Sequence, residues 1–216
     1  MEAIRRIPVP GIAGIGLLVY GVGVIVEAVF SGPGGDYEPA GVASFVSAGN
    51  RPLAFAMGYV GWFSALGLLA FAAGLRARLG RGGDMFWALG IIATACAIVG
   101  WVLSRGITVA FAEGGHVVQH GVSGPVVYTL SEIANLVAVC APAFCLGVMA
   151  WVLAAEAGLP GWLRVFSRVA GVCGMLAAFY FPLPVYLVWM LVLGGWIVAK
   201  SPPARQRVAK PVLPVG

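Results

Sequence analysis

Between Leu53 and Gly74 the chain carries no charged residue. Wound as an α-helix at 1.5 Å per residue, that run is about 33 Å long, and a bilayer hydrocarbon core is about 30 Å thick. Apolar runs recur from Pro10 to Phe30, from Met85 to Ser104, from Pro125 to Ala155 and from Trp162 to Ala199. Composition agrees: 61% of residues are hydrophobic and 10% charged, with a mean hydropathy of +0.97. A soluble domain is about a quarter charged, and a disordered chain needs low hydrophobicity. Both classes are excluded, which leaves an integral membrane protein. Its 216 residues fit five to seven spans and leave no room for a sizeable soluble domain.

The first run follows Arg5 and Arg6 and has the layout of a signal peptide; we read it as a retained first span. The glycines and proline from Gly32 to Gly35 then break the helix, and Gly41 to Ala48 is expected to form a short interfacial helix. The third run is interrupted by Arg105 and resumes to Ala112. Pro142 predicts a kink in the fourth. The last run is too long for one crossing. The Phe181–Pro184 segment breaks it into a fifth span, about Arg164 to Phe181, and a sixth, about Pro184 to Ala199. Residues 1–200 therefore form one six-helix transmembrane domain, all-α, and 201–216 a basic, proline-rich tail without a fixed fold.

Six spans place both termini on one side, and charge selects the side. Eleven of the thirteen Lys and Arg residues fall with the termini, and only Arg51 and Arg105 fall opposite. The positive-inside rule then makes the termini cytoplasmic, in a bacterial inner membrane. The net charge of +5 thus marks topology and contact with anionic lipid; no nucleic-acid partner is implied. Arg76, Arg78, Arg81, Arg164 and Arg168 are the candidate headgroup contacts.

Cys96, Cys140, Cys145 and Cys173 all lie in apolar runs and should act as small hydrophobes, with no disulfide framework. Small residues four apart, such as Ala70 with Gly74 and Ala170 with Gly174, suit close helix packing. Trp62, Trp87, Trp101, Trp162 and Trp196 fall near segment ends, where interfacial anchors sit.

Charges inside spans are costly and mark sites or structural pairs. Glu27, Arg105 and Glu132, with Asn135 one turn below Glu132, come from three different helices but share an outer-side depth. One outcome is a structural ion pair, with Arg105 neutralising Glu132 or Glu27. The other is a proton or substrate site at the outer mouth of the bundle. A dry, fully paired cluster would favour the first. A wet cavity with a leftover carboxylate would favour the second.

Glu113, His116 and His120 have helical spacing for one-face metal ligation, but Gly114, Gly115 and Gly121 weaken a helix there. A transition metal is the one cofactor this triplet would suit, and no other is expected. No phosphate-binding glycine motif, nucleophile elbow or intramembrane lysine is present. Absent that machinery, the expected function is a non-enzymatic accessory, scaffold or lipid-binding component whose partners are the bilayer and other membrane proteins. The competing expectation is a small transporter or membrane enzyme using the outer cluster.

From Leu159 to Pro202 the sequence LPGWLRVFSRVAGVCGMLAAF, the FPLP break and VYLVWMLVLGGWIVAKSP resembles the closing two spans of small six-helix bacterial membrane proteins. That resemblance implies a six-helix inner-membrane protein and brings no catalytic residue with it.

Overall fold

The computed structural model describes residues 11–30, 47, 49–113, 124–156, 158–179 and 182–201. Six helical rods account for nearly all of them. They are α1 (Gly11–Phe30), α2 (Arg51–Arg76), α3 (Gly83–Glu113), α4, α5 (Gly161–Met175) and α6 (Leu183–Lys200). Helix α4 is continuous but composite: α-helical over Gly124–Asn135, a π-turn over Leu136–Cys140, and α-helical again over Ala141–Glu156. Most of the segment expected to form an interfacial helix, and the tail beyond Ser201, lie outside the described residues.

Five of the rods are long and apolar enough to cross a membrane. The exception is α5, which has 15 residues where a span to Phe181 was expected. That is about 22 Å, short of the hydrocarbon core. Pro182 reaches back no further than the carbonyl four residues before it, yet the α-helix ends at Met175 and the chain tightens into a 3₁₀ turn over Ala177–Phe179. The Ala177 carbonyl there accepts a hydrogen bond from Cys140 Sγ at 3.5 Å. At Pro142, where the sequence predicts a kink, the structure shows a π-turn just before the proline. Pro142 has no N–H for the carbonyl four residues back, and the π-turn sits over that stretch.

Each rod packs against its neighbours in sequence, and α1 packs against α6, so the six close into a ring. Gly11 at the start of α1 lies beside Ser201 at the end of α6. Both described ends of the chain therefore share one end of the ring. By antiparallel alternation, Arg76, Arg81, Arg164 and Lys200 share that end too, while Arg168 stands at the midpoint of α5. Tyr20, Phe71, Phe86, Tyr186 and Trp189, each at most 1% exposed, fill the interior together with Leu146 and Met149. Trp189 Nε1 donates to Ser167 Oγ at 3.0 Å, tying α6 to α5.

Small residues set the approach of the rods. Gly16 of α1 and Gly67 of α2 cross backbone to backbone, so that a Cβ on either would strike the other's carbonyl oxygen. Gly74 meets Ala13, and Gly174 meets the Ala143 carbonyl. The four cysteines are free thiols; Cys140 and Cys145 are buried in the core. Trp162 is exposed, as an interfacial anchor should be, but Trp101 is 3% exposed. Its ring lies on Gly61 of α2, which leaves room for it inside the bundle.

Candidate functional site

One buried ion pair joins two of the intramembrane charges read from the sequence. Glu27, three residues before the end of α1, is on the buried side of that helix. Arg105 sits on α3 opposite Gly58 of α2, where a Cβ would stand 3.0 Å from the arginine Cγ. Arg105 Nη2 donates to Glu27 Oε2 at 2.7 Å. The two side chains are 5% and 0% exposed. A pair so thoroughly out of water has given up a large hydration energy, so it holds only while both partners are present.

Glu132 and Asn135 are half-buried one turn apart on the first part of α4, and the ion pair that Arg105 makes is with Glu27. Of the four expected residues, the structure pairs Glu27 with Arg105. Glu113 is the last residue of α3, and His116 and His120 lie outside the described residues. Among the described residues no group of three or more His, Cys, Asp or Glu side chains is placed to hold a metal.

At the basic end, Arg76 Nη2 pairs with Asp84 Oδ1 at 2.9 Å, and its guanidinium also stands 5.9 Å over the Trp87 ring. That pair is exposed, and exposed pairs contribute about 0–1 kcal/mol. Arg164 Nη2 donates to the Leu159 carbonyl at 3.3 Å. Arg81, Arg164 and Arg168 are exposed, and Arg78 is half-buried. Arg164 and Arg168 stand one turn apart on α5, next to the exposed Trp162 and Val165. A long cationic side chain beside an indole suits the boundary between headgroups and hydrocarbon.

A feature the sequence did not announce is a groove of about 510 Å³ on the outside of the ring between α1 and α2. Gly23 and Ser64 are buried along its floor. Val22, Tyr59 and Phe63, at 51%, 56% and 67% exposure, stand as its walls. The Ser64 hydroxyl is turned back onto the Gly61 carbonyl at 2.8 Å, which leaves the groove surface entirely carbon. Comparison with protein-family models, curated proteins and solved structures gives no match.

Proposed function

We propose that the protein is a non-enzymatic, lipid-binding component of a bacterial inner membrane, with six crossings and both termini cytoplasmic. The observation that carries this reading is the carbon-walled groove between α1 and α2. Its lining runs along α1 from Leu18 to Val26, a length of about 12 Å at hydrocarbon depth. The molecule available there with matching chemistry is a lipid acyl chain. A floor of small residues between larger walls gives an acyl chain more contact than a convex helix surface offers. The exposed arginines of the basic end suit anionic headgroups of the opposite leaflet, and other membrane proteins are the further class of partner.

A transporter or membrane enzyme working through Glu27, Arg105 and Glu132, with or without the histidines, would need water at the pair. The burial of Glu27 and Arg105 and the packed aromatic interior weigh for the non-enzymatic reading. Six crossings are supported by the shared end of Gly11 and Ser201. They require the bilayer to thin or the flanks to snorkel around the short α5.

A phospholipid with a photoactivatable acyl chain tests the lipid reading. In nanodiscs, adducts should concentrate on Val22, Tyr59 and Phe63 over Val165 and Val169, which are equally exposed on α5. Val22→Trp, which fills the groove, should reduce the adducts on Tyr59 and Phe63 several-fold. Even labelling around the ring would refute lipid retention. For the topology, single cysteines replacing Gly49 and Gly82 in a cysteine-free background should label from opposite sides of intact cells, Gly49 from outside. Labelling of both from one side would overturn the six-crossing arrangement.

A further inference from the structure

Charged side chains of spanning helices almost always turn into the bundle or pair with one another. Arg168 does neither. It stands at the midpoint of α5, about 10 Å along the helix from Gly161, and is exposed. Among the described residues it has no hydrogen-bond or ion-pair partner. Its neighbours on the outward face are Val165, Val169 and Val172, at 60%, 50% and 43% exposure. The opposite face, which includes Ser167, Ala170 and Gly171, is buried where α5 packs on α4 and α6. Arg168 therefore has no route inward.

The shape of α5 brings the headgroups to it. In the six-crossing arrangement this 15-residue rod is shorter than the hydrocarbon core, so the bilayer thins along it. Arg164 is exposed one turn nearer the basic end, on the same side of the helix. It gives Nη2 to the Leu159 carbonyl at 3.3 Å and has further donors on the guanidinium. Two indoles mark the boundary here. Trp162 is exposed at the start of α5, and Trp151 of α4, also exposed, lies on Gly171, one turn past Arg168.

Two successive guanidiniums facing outward at such a boundary need a counter-ion with several acceptor oxygens and a net negative charge. Phosphate meets arginine in this way, through paired N–H bonds. A carboxylate on a partner helix would sit at one fixed depth, whereas these arginines lead from the surface inward, along the path a lipid phosphate can take. We propose that Arg164 and Arg168 hold the phosphate of an anionic phospholipid in the leaflet of the basic end. The site takes the headgroup and leaves the acyl chains on the convex face of α5. The inference rests on the lipid-binding reading of the protein but not on the groove between α1 and α2.

Phosphatidylglycerol is the probe, with zwitterionic phosphatidylcholine and inorganic phosphate beside it. Titrated into the purified full-length protein in non-ionic detergent, phosphatidylglycerol should raise the melting temperature with a saturating dependence. The gain should reach about 5 °C or more at a hundred times the midpoint concentration. Arg168→Gln should raise that midpoint about tenfold. Lys200→Gln removes the same charge from α6 and should leave it in place. Should Arg168→Gln not fold, Arg164→Gln is expected to raise the midpoint likewise. An equal rise with Lys200→Gln, the mark of diffuse attraction, overturns the proposal. So does an unchanged midpoint in the arginine variant, or equal stabilisation by phosphatidylcholine. Saturation by inorganic phosphate at the same concentrations would make this a free-anion site and overturn the lipid. Absence of any gain overturns it too, and leaves Arg168 to water or to a carboxylate of a partner helix. Groove labelling and this titration read different rods, so either can fail alone.

Discussion

Arg105→Met is expected to destabilise the detergent-solubilised protein by about 3–5 kcal/mol, the range for breaking a buried pair from one side. The variant keeps much of the side-chain bulk and removes the counter-charge from Glu27, which is 0% exposed. A carboxylate left in a low-dielectric site must take up a proton or carry its full desolvation cost. Adding Glu27→Gln should therefore recover much of the loss, because the burden sits on that residue. Adding Glu132→Gln should recover nothing, and its own effect should simply add. Reversible unfolding of the single and double variants measures all three quantities. Stability unchanged in Arg105→Met would mean that the guanidinium reaches the headgroups on its own and that the pair contributes nothing to the fold.

The partner of Arg105 illustrates what a sequence of this kind conveys and what it withholds. Depth along a span follows from counting residues, because the rise per residue is constant. Counting placed Glu27, Arg105 and Glu132 at one level. Which of them face each other depends on the azimuth of each helix, and that is set by closure of the ring through the α1–α6 contact. No local pattern encodes that closure. Trp101 failed as an interfacial anchor for the same reason. Its axial position suits a belt residue, but the gap at Gly61 draws it inward. A signal was present, since Trp101 precedes Arg105 by four residues and must share its side of α3.

The rods themselves were legible because a continuous apolar run of bilayer length has one stable form in lipid. The end of α5 was not. Proline predicts where a helix cannot continue, whereas this helix stops six residues earlier, where the Ala177 carbonyl turns to Cys140. The groove was invisible for a different reason. Large apolar residues are exposed on all six rods, so a concave surface has the composition of a convex one.

The second large effect is expected at the crossing of α1 and α2. A Cβ on Gly67 would meet the carbonyl oxygen of Gly16 and stand 3.3 Å from the backbone nitrogen of Tyr20. Those obstacles are backbone atoms, which cannot rotate aside as a side-chain tip would, so the two rods must move apart. Separation would loosen Leu17, Tyr20, Leu68 and Phe71, all buried to within 1% at or beside this contact. Overpacking typically costs about 1–3 kcal/mol when side chains can adjust, and Gly67→Ala should lie at or above the top of that range. Gly67→Leu should prevent recovery of folded protein. Gly195 on α6 provides the comparison, because a Cβ there meets nothing within 4 Å. Gly195→Ala should be neutral or slightly stabilising, since alanine is the better helix former. Thermal unfolding of the two alanine variants side by side decides the matter. If Gly67→Ala unfolds within about 0.5 kcal/mol of Gly195→Ala, the size expected of an inconsequential surface change, then the backbone crossing does not hold α1 to α2. The groove built on that crossing would then lack a fixed shape.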